Sequence, residues 1–194
     1  MRQRQLIVML KEPHPGRVKT RLGREIGMVP AAWWFRRQAM SLIRRLEDPR
    51  WRLALAVSPD VTVITSRIWP GHLPRIAQGK GDLGARMVRL LRQAPPGPVM
   101  IIGADIPGIT RSHIASGFQA LDAGDGVIGP APDGGYWMIG LKRTRSVPSG
   151  VLDGVRWSSP HAMADTIARL RGLRLARAAT LQDVDTAADL AALR

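Results

Sequence analysis

The chain has no cysteine among its 194 residues. Disulfide frameworks, thiolate nucleophiles and Cys-ligated zinc are thereby excluded, and a reducing, cytoplasmic location is the expectation. Aromatic residues are few apart from Trp, with one Tyr and two Phe. That composition provides no evident stacking platform for nucleic acid, which is therefore an unfavoured partner. Long apolar runs are missing too. No stretch approaches the roughly 20 residues of a membrane span. The basic start Met1–Arg4 is followed only by a strand-length run, Leu6–Leu10, with Lys11 and Glu12 close behind, so no secretory leader is expected. Several enzyme signatures are absent: no Gly-x4-Gly-Lys-Ser/Thr phosphate loop, no Gly-x-Gly-x-x-Gly after the first strand and no Gly-x-Ser-x-Gly elbow. The four histidines, His14, His72, His113 and His161, show no zinc spacing. Acidic residues are the scarce charge, 15 against 29 Lys and Arg, for a net charge of +14. Thirteen basic and four acidic residues fall within the first 52 positions. Such an excess implies an anionic partner or a coat of solvated arginines.

Strand and helix signals alternate along the chain, which points to α/β architecture in one domain spanning residues 1–194. Leu6–Leu10 reads as a buried strand. From Pro30 to Glu47 the residues Phe35, Ala39, Leu42, Ile43 and Leu46 recur at helical spacing, with Arg36, Arg37, Arg44 and Arg45 on a solvated sector. Trp51–Val57 is a second strand. A helix follows Gly84, with Leu83, Met87, Leu90 and Leu91 as its core stripe. Val99–Ile102 is a short continuous apolar run of the kind found in a central strand covered on both faces. Thr110 is the expected N-cap of a helix to about Leu121. Gly126–Gly129 and Tyr136–Gly140 are strands joined through Asp133-Gly134-Gly135. Pro160 opens a helix with Met163, Ile167 and Leu170 on its buried side, Leu173–Ala176 is a last strand, and Thr186 with Asp189 has capping-box spacing.

The first strand runs into Lys11-Glu12-Pro13-His14-Pro15-Gly16-Arg17-Val18-Lys19-Thr20-Arg21, a loop stiffened by prolines and rich in cations. At the carboxyl end of a strand such a loop is placed to hold phosphates. Arg21 suits bidentate contact with phosphate oxygens, Lys19 acts as a compact point charge, and Thr20 adds a donor. Asp105 ends the most buried strand and can hold Mg²⁺ or Mn²⁺, hard cations that prefer oxygen. Asp133 is a second carboxylate, a metal ligand or acceptor contact, with Gly134 and Gly135 letting backbone approach a ligand beside Tyr136. Trp157 offers a face for a sugar ring in an acceptor pocket, and His161 can take a proton there.

These motifs, in their order, resemble a family of small bacterial proteins with the GT-A, or nucleotide-diphospho-sugar transferase, fold. The family was long a domain of unknown function, and some members are assigned as glycosyltransferases of arsenosugar biosynthesis. The resemblance rests on Lys11-x-Pro13-x-x-Gly16-x-Val18-Lys19-Thr20-Arg21-Leu22, Gln78-Gly79-x-Gly81-Asp82-Leu83-Gly84 and Gly103-x-Asp105-x-Pro107-Gly108. It extends through Gly129-Pro130-Ala131-x-Asp133-Gly134-Gly135-Tyr136-Trp137, Trp157-Ser158-Ser159 and Asp183-Val184-Asp185-Thr186. A more distant likeness is to phospholactate and molybdenum-cofactor guanylyltransferases. The family resemblance implies a three-layer α/β/α sandwich with a mostly parallel sheet. It also implies phosphate contacts from Lys11, Gly16, Lys19 and Arg21, a nucleotide site including Gln78, Gly79 and Asp82, and a metal on Asp105. Two departures stand out. Ile106 occupies a position where the family often has Cys, and Asp105 has no neighbouring Asp, so an Asp-x-Asp metal motif is incomplete there.

The expected activity is glycosyl transfer from a nucleotide sugar to a small-molecule acceptor. Asp105, Lys19 and Arg21 would act on the leaving diphosphate, with Asp133 or Asp185 as the base if the reaction inverts. Nucleotidyl transfer from a nucleoside triphosphate is the second reading, and a basic nucleic-acid binder or a non-catalytic nucleotide binder the third.

Overall fold

The computed structural model describes residues 3–144, 146–148 and 150–193. Seven strands form one sheet: β1 (Gln5–Lys11), β2 (Arg52–Ser58), β3 (Arg75–Ala77), β4 (Val99–Gly103), β5 (Gly126–Pro130), β6 (Tyr136–Leu141) and β7 (Leu175–Arg177). Their order is β3-β2-β1-β4-β6-β5-β7. Pairing is parallel except where β6 runs antiparallel to β4 and β5. The helices are α1 (Thr20–Ile26), α2 (Met28–Leu46), α3 (Thr62–Thr65), α4 (Leu83–Gln93), α5 (Arg111–Ala123), α6 (Ala162–Arg169) and α7 (Ala187–Ala191).

Strand alternation creates the layers. Leu6, Val8 and Leu10 of β1 point into one core with Phe35, Ala39, Leu42, Ile43 and Leu46 of α2 and Ile114, Phe118 and Leu121 of α5. Ile7 joins the opposite core, built with Met87, Leu90 and Leu91 of α4, Ile101 and Ile139. Helices thus cover both faces of the sheet, as continuous apolar strands demand. Removing any one of the fully buried leucines from these cores costs about 2–5 kcal/mol.

Two expectations need correction. Leu83 is 45% exposed, because Asp82 caps α4 and turns its first residue outward. Arg45 is half-buried rather than solvated, and its guanidinium donates to the Pro107 carbonyl at 2.9 Å. No described helix is long and apolar enough to cross a membrane.

Candidate active site

The chain builds β2 and β3 on one side of β1, then places β4 on the other. The carboxyl ends of β1 and β4 are therefore adjacent at a switch point, where open α/β sheets hold ligands. Met9 of β1 lies opposite Gly103 of β4. A cavity of about 930 Å³ opens there, lined by Lys11 at the end of β1, by Lys19 in the loop beyond it and by Gly103 and Asp105 at the end of β4.

Lys19 is the hub of this cavity. Its Nζ lies 2.6 Å from Asp105, 2.7 Å from Asp185 and 3.7 Å from Asp183. Its side chain is only 6% exposed. Burial pulls the ammonium pKa down, but the charges and hydrogen bonds of Asp105 and Asp185 outweigh this and hold it above the usual lysine value. Arg21, largely exposed, donates to the other Asp185 oxygen at 3.1 Å. Burial pushes the Asp183 carboxyl up. Lys19 opposes that shift, while Asp105, Asp185 and Asp133 reinforce it, and the pKa reaches about 6.

Asp183 and Asp185 come from the far end of the chain. Between them Val184 is buried with Leu22 and Ala31, so the two flanking carboxylates are free to face the cavity. The Val184 N–H donates to the Asp105 carbonyl, tying the segment to the end of β4. The following residues hold it further. Asp189 accepts from the Asp185 and Thr186 backbone N–H groups, and the Ala187 N–H donates to Glu25 of α1. One oxygen each from Asp105, Asp183 and Asp185 lies within 4.8 Å of the others. Three such carboxylates could hold a hard divalent cation, and a cationic ammonium already sits among them.

The sequence names Asp105 for this set and offers Asp185 only as a base. Asp183 is missed, although Asp-x-Asp spacing in an extended segment can present both carboxylates together. The acidic pair absent next to Asp105 is thus supplied across the fold.

Of the other expected residues, Thr20, Arg21, Gln78, Asp82, Asp133, Gly135, Tyr136 and Trp157 also line the cavity. Gly16, Gly79, Gly134 and His161 lie outside its lining. Gln78 is 3% exposed, and its amide donates to the Leu10 and Ala56 carbonyls, so that amide ties β1 to β2. The Gly79 N–H is taken by Asp60. Asp82 accepts from the Ala85 N–H as the N-cap of α4. Asp133 accepts from the Gly135 N–H within its turn and stands outside the three-carboxylate group. Tyr136 and Trp157 meet edge to face at 6.3 Å on the wall beside β6. His161 is exposed at the start of α6.

The family model described as "Uncharacterized protein conserved in bacteria (DUF2064)" matches residues 42–159, more than half of the chain. The chain belongs to the DUF2064 family. Like other proteins built on this scaffold, it has solved structural neighbours. A provisionally named nucleotide-diphospho-sugar transferase from Desulfovibrio desulfuricans is 30% identical, with a TM-score of 0.89 over 100% of this chain and 87% of that one. Rv0371c from Mycobacterium tuberculosis, solved in complex with manganese, is 13% identical with a TM-score of 0.55 over 98% of each chain. A 4-diphosphocytidyl-2C-methyl-D-erythritol synthase from Anaerococcus prevotii is 10% identical, with a TM-score of 0.58 over 97% and 93%. No curated protein matches in sequence. The DUF2064 chain therefore has the nucleotide-diphospho-sugar transferase fold expected from its motifs, with a mostly parallel seven-stranded sheet.

Proposed function

We propose that this DUF2064 protein is a transferase acting on a nucleotide diphosphate bond, with a nucleotide-diphospho-sugar donor and Mg²⁺ or Mn²⁺. The observation that carries the reading is the meeting of Lys19 and Asp105 at the switch point, inside a cavity that also holds Arg21, Asp183 and Asp185. Asp105, Asp183 and Asp185 would hold the metal, which when bound neutralises charge on the departing diphosphate. Lys11, Lys19 and Arg21 share the same cavity and would supply cationic donors for phosphate oxygens, Lys19 only once released from its carboxylate partners. Preorganised charge of this kind is the main catalytic lever such a site has. The wall of Tyr136, Trp157 and Ser159 is suited to a sugar or small-molecule acceptor, since aromatic rims and hydroxyls recognise such groups. The name of the 30%-identical neighbour supports the donor class.

A thermal-shift panel of nucleotide sugars and nucleoside triphosphates, each with and without Mn²⁺, tests the reading. A bound nucleotide at about 100 times its Kd adds ~2.7 kcal/mol of stability, and Asp105→Asn should remove the metal-dependent part alone. Silence across the whole panel overturns it. The second reading is nucleotidyl transfer, supported by the name of the Anaerococcus neighbour. Pyrophosphate release from a triphosphate with an anionic acceptor would select it over glycosyl transfer.

A further inference from the structure

We propose that Lys19 is the resting occupant of the carboxylate site, and that a divalent cation displaces its ammonium into the cavity, where it meets the anionic ligand. The identity of that ligand rests on the transferase reading, but the exchange itself does not.

Three observations carry the proposal. The ammonium makes two close ion pairs, 2.6 Å to Asp105 and 2.7 Å to Asp185, and lies 3.7 Å from Asp183. Those three residues are the ones whose oxygens converge within 4.8 Å. An ammonium and a metal ion would therefore compete for the same lone pairs. The exposures are unequal: 6% for the Lys19 side chain and 29%, 31% and 33% for Asp105, Asp183 and Asp185. The carboxylates thus stay open to an incoming ion while the lysine is shielded. Finally, Lys19 sits at the N-cap of α1 with φ 45° and ψ 48°, a left-handed conformation uncommon for a side-chain-bearing residue. That backbone aims its stem at the carboxylates, yet the residue also lines the cavity beside Lys11 and Arg17. The flexible four-carbon stem can swing from one to the other without moving the start of α1. Cation and anion binding are then coupled, and the coupling is reciprocal.

Amine acetylation of the wild-type protein, quantified at each lysine by mass spectrometry, tests the exchange without any nucleotide. Lys19 should be protected in the absence of metal and should become reactive as Mg²⁺ is added, while exposed Lys80 serves as the constant reference. Unchanged protection of Lys19 at millimolar Mg²⁺ overturns the proposal. Mn²⁺ binding alone, followed by electron paramagnetic resonance, gives a second test. Lys19→Met should bind about tenfold more tightly, the factor expected when an internal competitor holds a site nine-tenths of the time. Equal or weaker binding by a folded Lys19→Met also overturns it. If that variant does not fold, the wild-type labelling decides. A protein that exposes Lys19 on Mg²⁺ addition but transfers nothing from any nucleotide upholds the exchange and sinks the reaction.

Discussion

Asp183 is the side chain through which pH acts on the site. Its pKa of about 6 in the fold lies above the ordinary 3.8 because burial penalises the charge and neighbouring carboxylates add to that penalty. Between about pH 4 and pH 6 the folded Asp183 keeps a proton that its unfolded form has lost, so the contribution of this one group to stability falls as pH rises through that window. Asp48, Asp125, Asp165 and Asp189 are shifted the other way and add stability as pH rises past the unfolded value of 3.8, so only comparison with a variant isolates the part played by Asp183. Asp183→Asn should remove the loss. Thermal melts of both proteins should agree most closely near pH 4 and diverge toward pH 6, with the variant ahead by about 1 kcal/mol once solvent screening of a partly exposed group is allowed for. For a chain of this size that is roughly 2–4 °C in Tm. Metal binding needs the ionised carboxylate, so Mn²⁺ affinity should climb up to about pH 6 and level off above it. Calorimetry across that range checks the slope.

The C-terminal element behaves as a clamp for the site. Thr186 and Asp189 form the capping box that starts α7, and Asp189 also receives the Asp185 N–H. Thr186→Ala should cost about 1 kcal/mol in a denaturation experiment, the usual worth of an N-cap. The same variant should weaken Mn²⁺ binding, because the backbone presenting Asp185 loses one of its restraints. The turn between β5 and β6 is the other sensitive element. Gly134 has φ 84°, and a Cβ there would collide with the Pro160 backbone. Gly134→Ala should therefore destabilise the fold by about 2–4 kcal/mol through overpacking and backbone strain together, read as a shift in denaturation midpoint. Its requirement for glycine comes from close packing against the segment that carries Trp157 to His161. Elements with strong local signals were legible from the residues alone. Leu6–Leu10 and Val99–Ile102 lie within strands, and Thr110 caps α5. The three-residue β3 and the seven-residue α1 were not, because neither is long enough to show a period.

At the scale of the whole molecule, the +14 charge and the site act separately. Arg36, Arg37 and Arg44 lie exposed on α2, and none of them lines the cavity. Retention on heparin or duplex DNA should therefore be non-specific, fall steeply between about 50 and 200 mM salt, and be unchanged in Asp105→Asn. A sequence-selective or salt-insensitive complex would contradict this account of the charge. The linear chain determined the layered α/β class, the cationic loop after the first strand and the acidic end of the central one, because apolar runs, prolines and charge are local properties. Only the tertiary structure decided that Lys19 meets Asp105, Asp183 and Asp185 rather than standing free for phosphate. The switch in strand order brings positions 19 and 105 together, and burial of Val184 turns its two neighbouring carboxylates toward them. Contacts so distant along the chain leave no periodic trace in it.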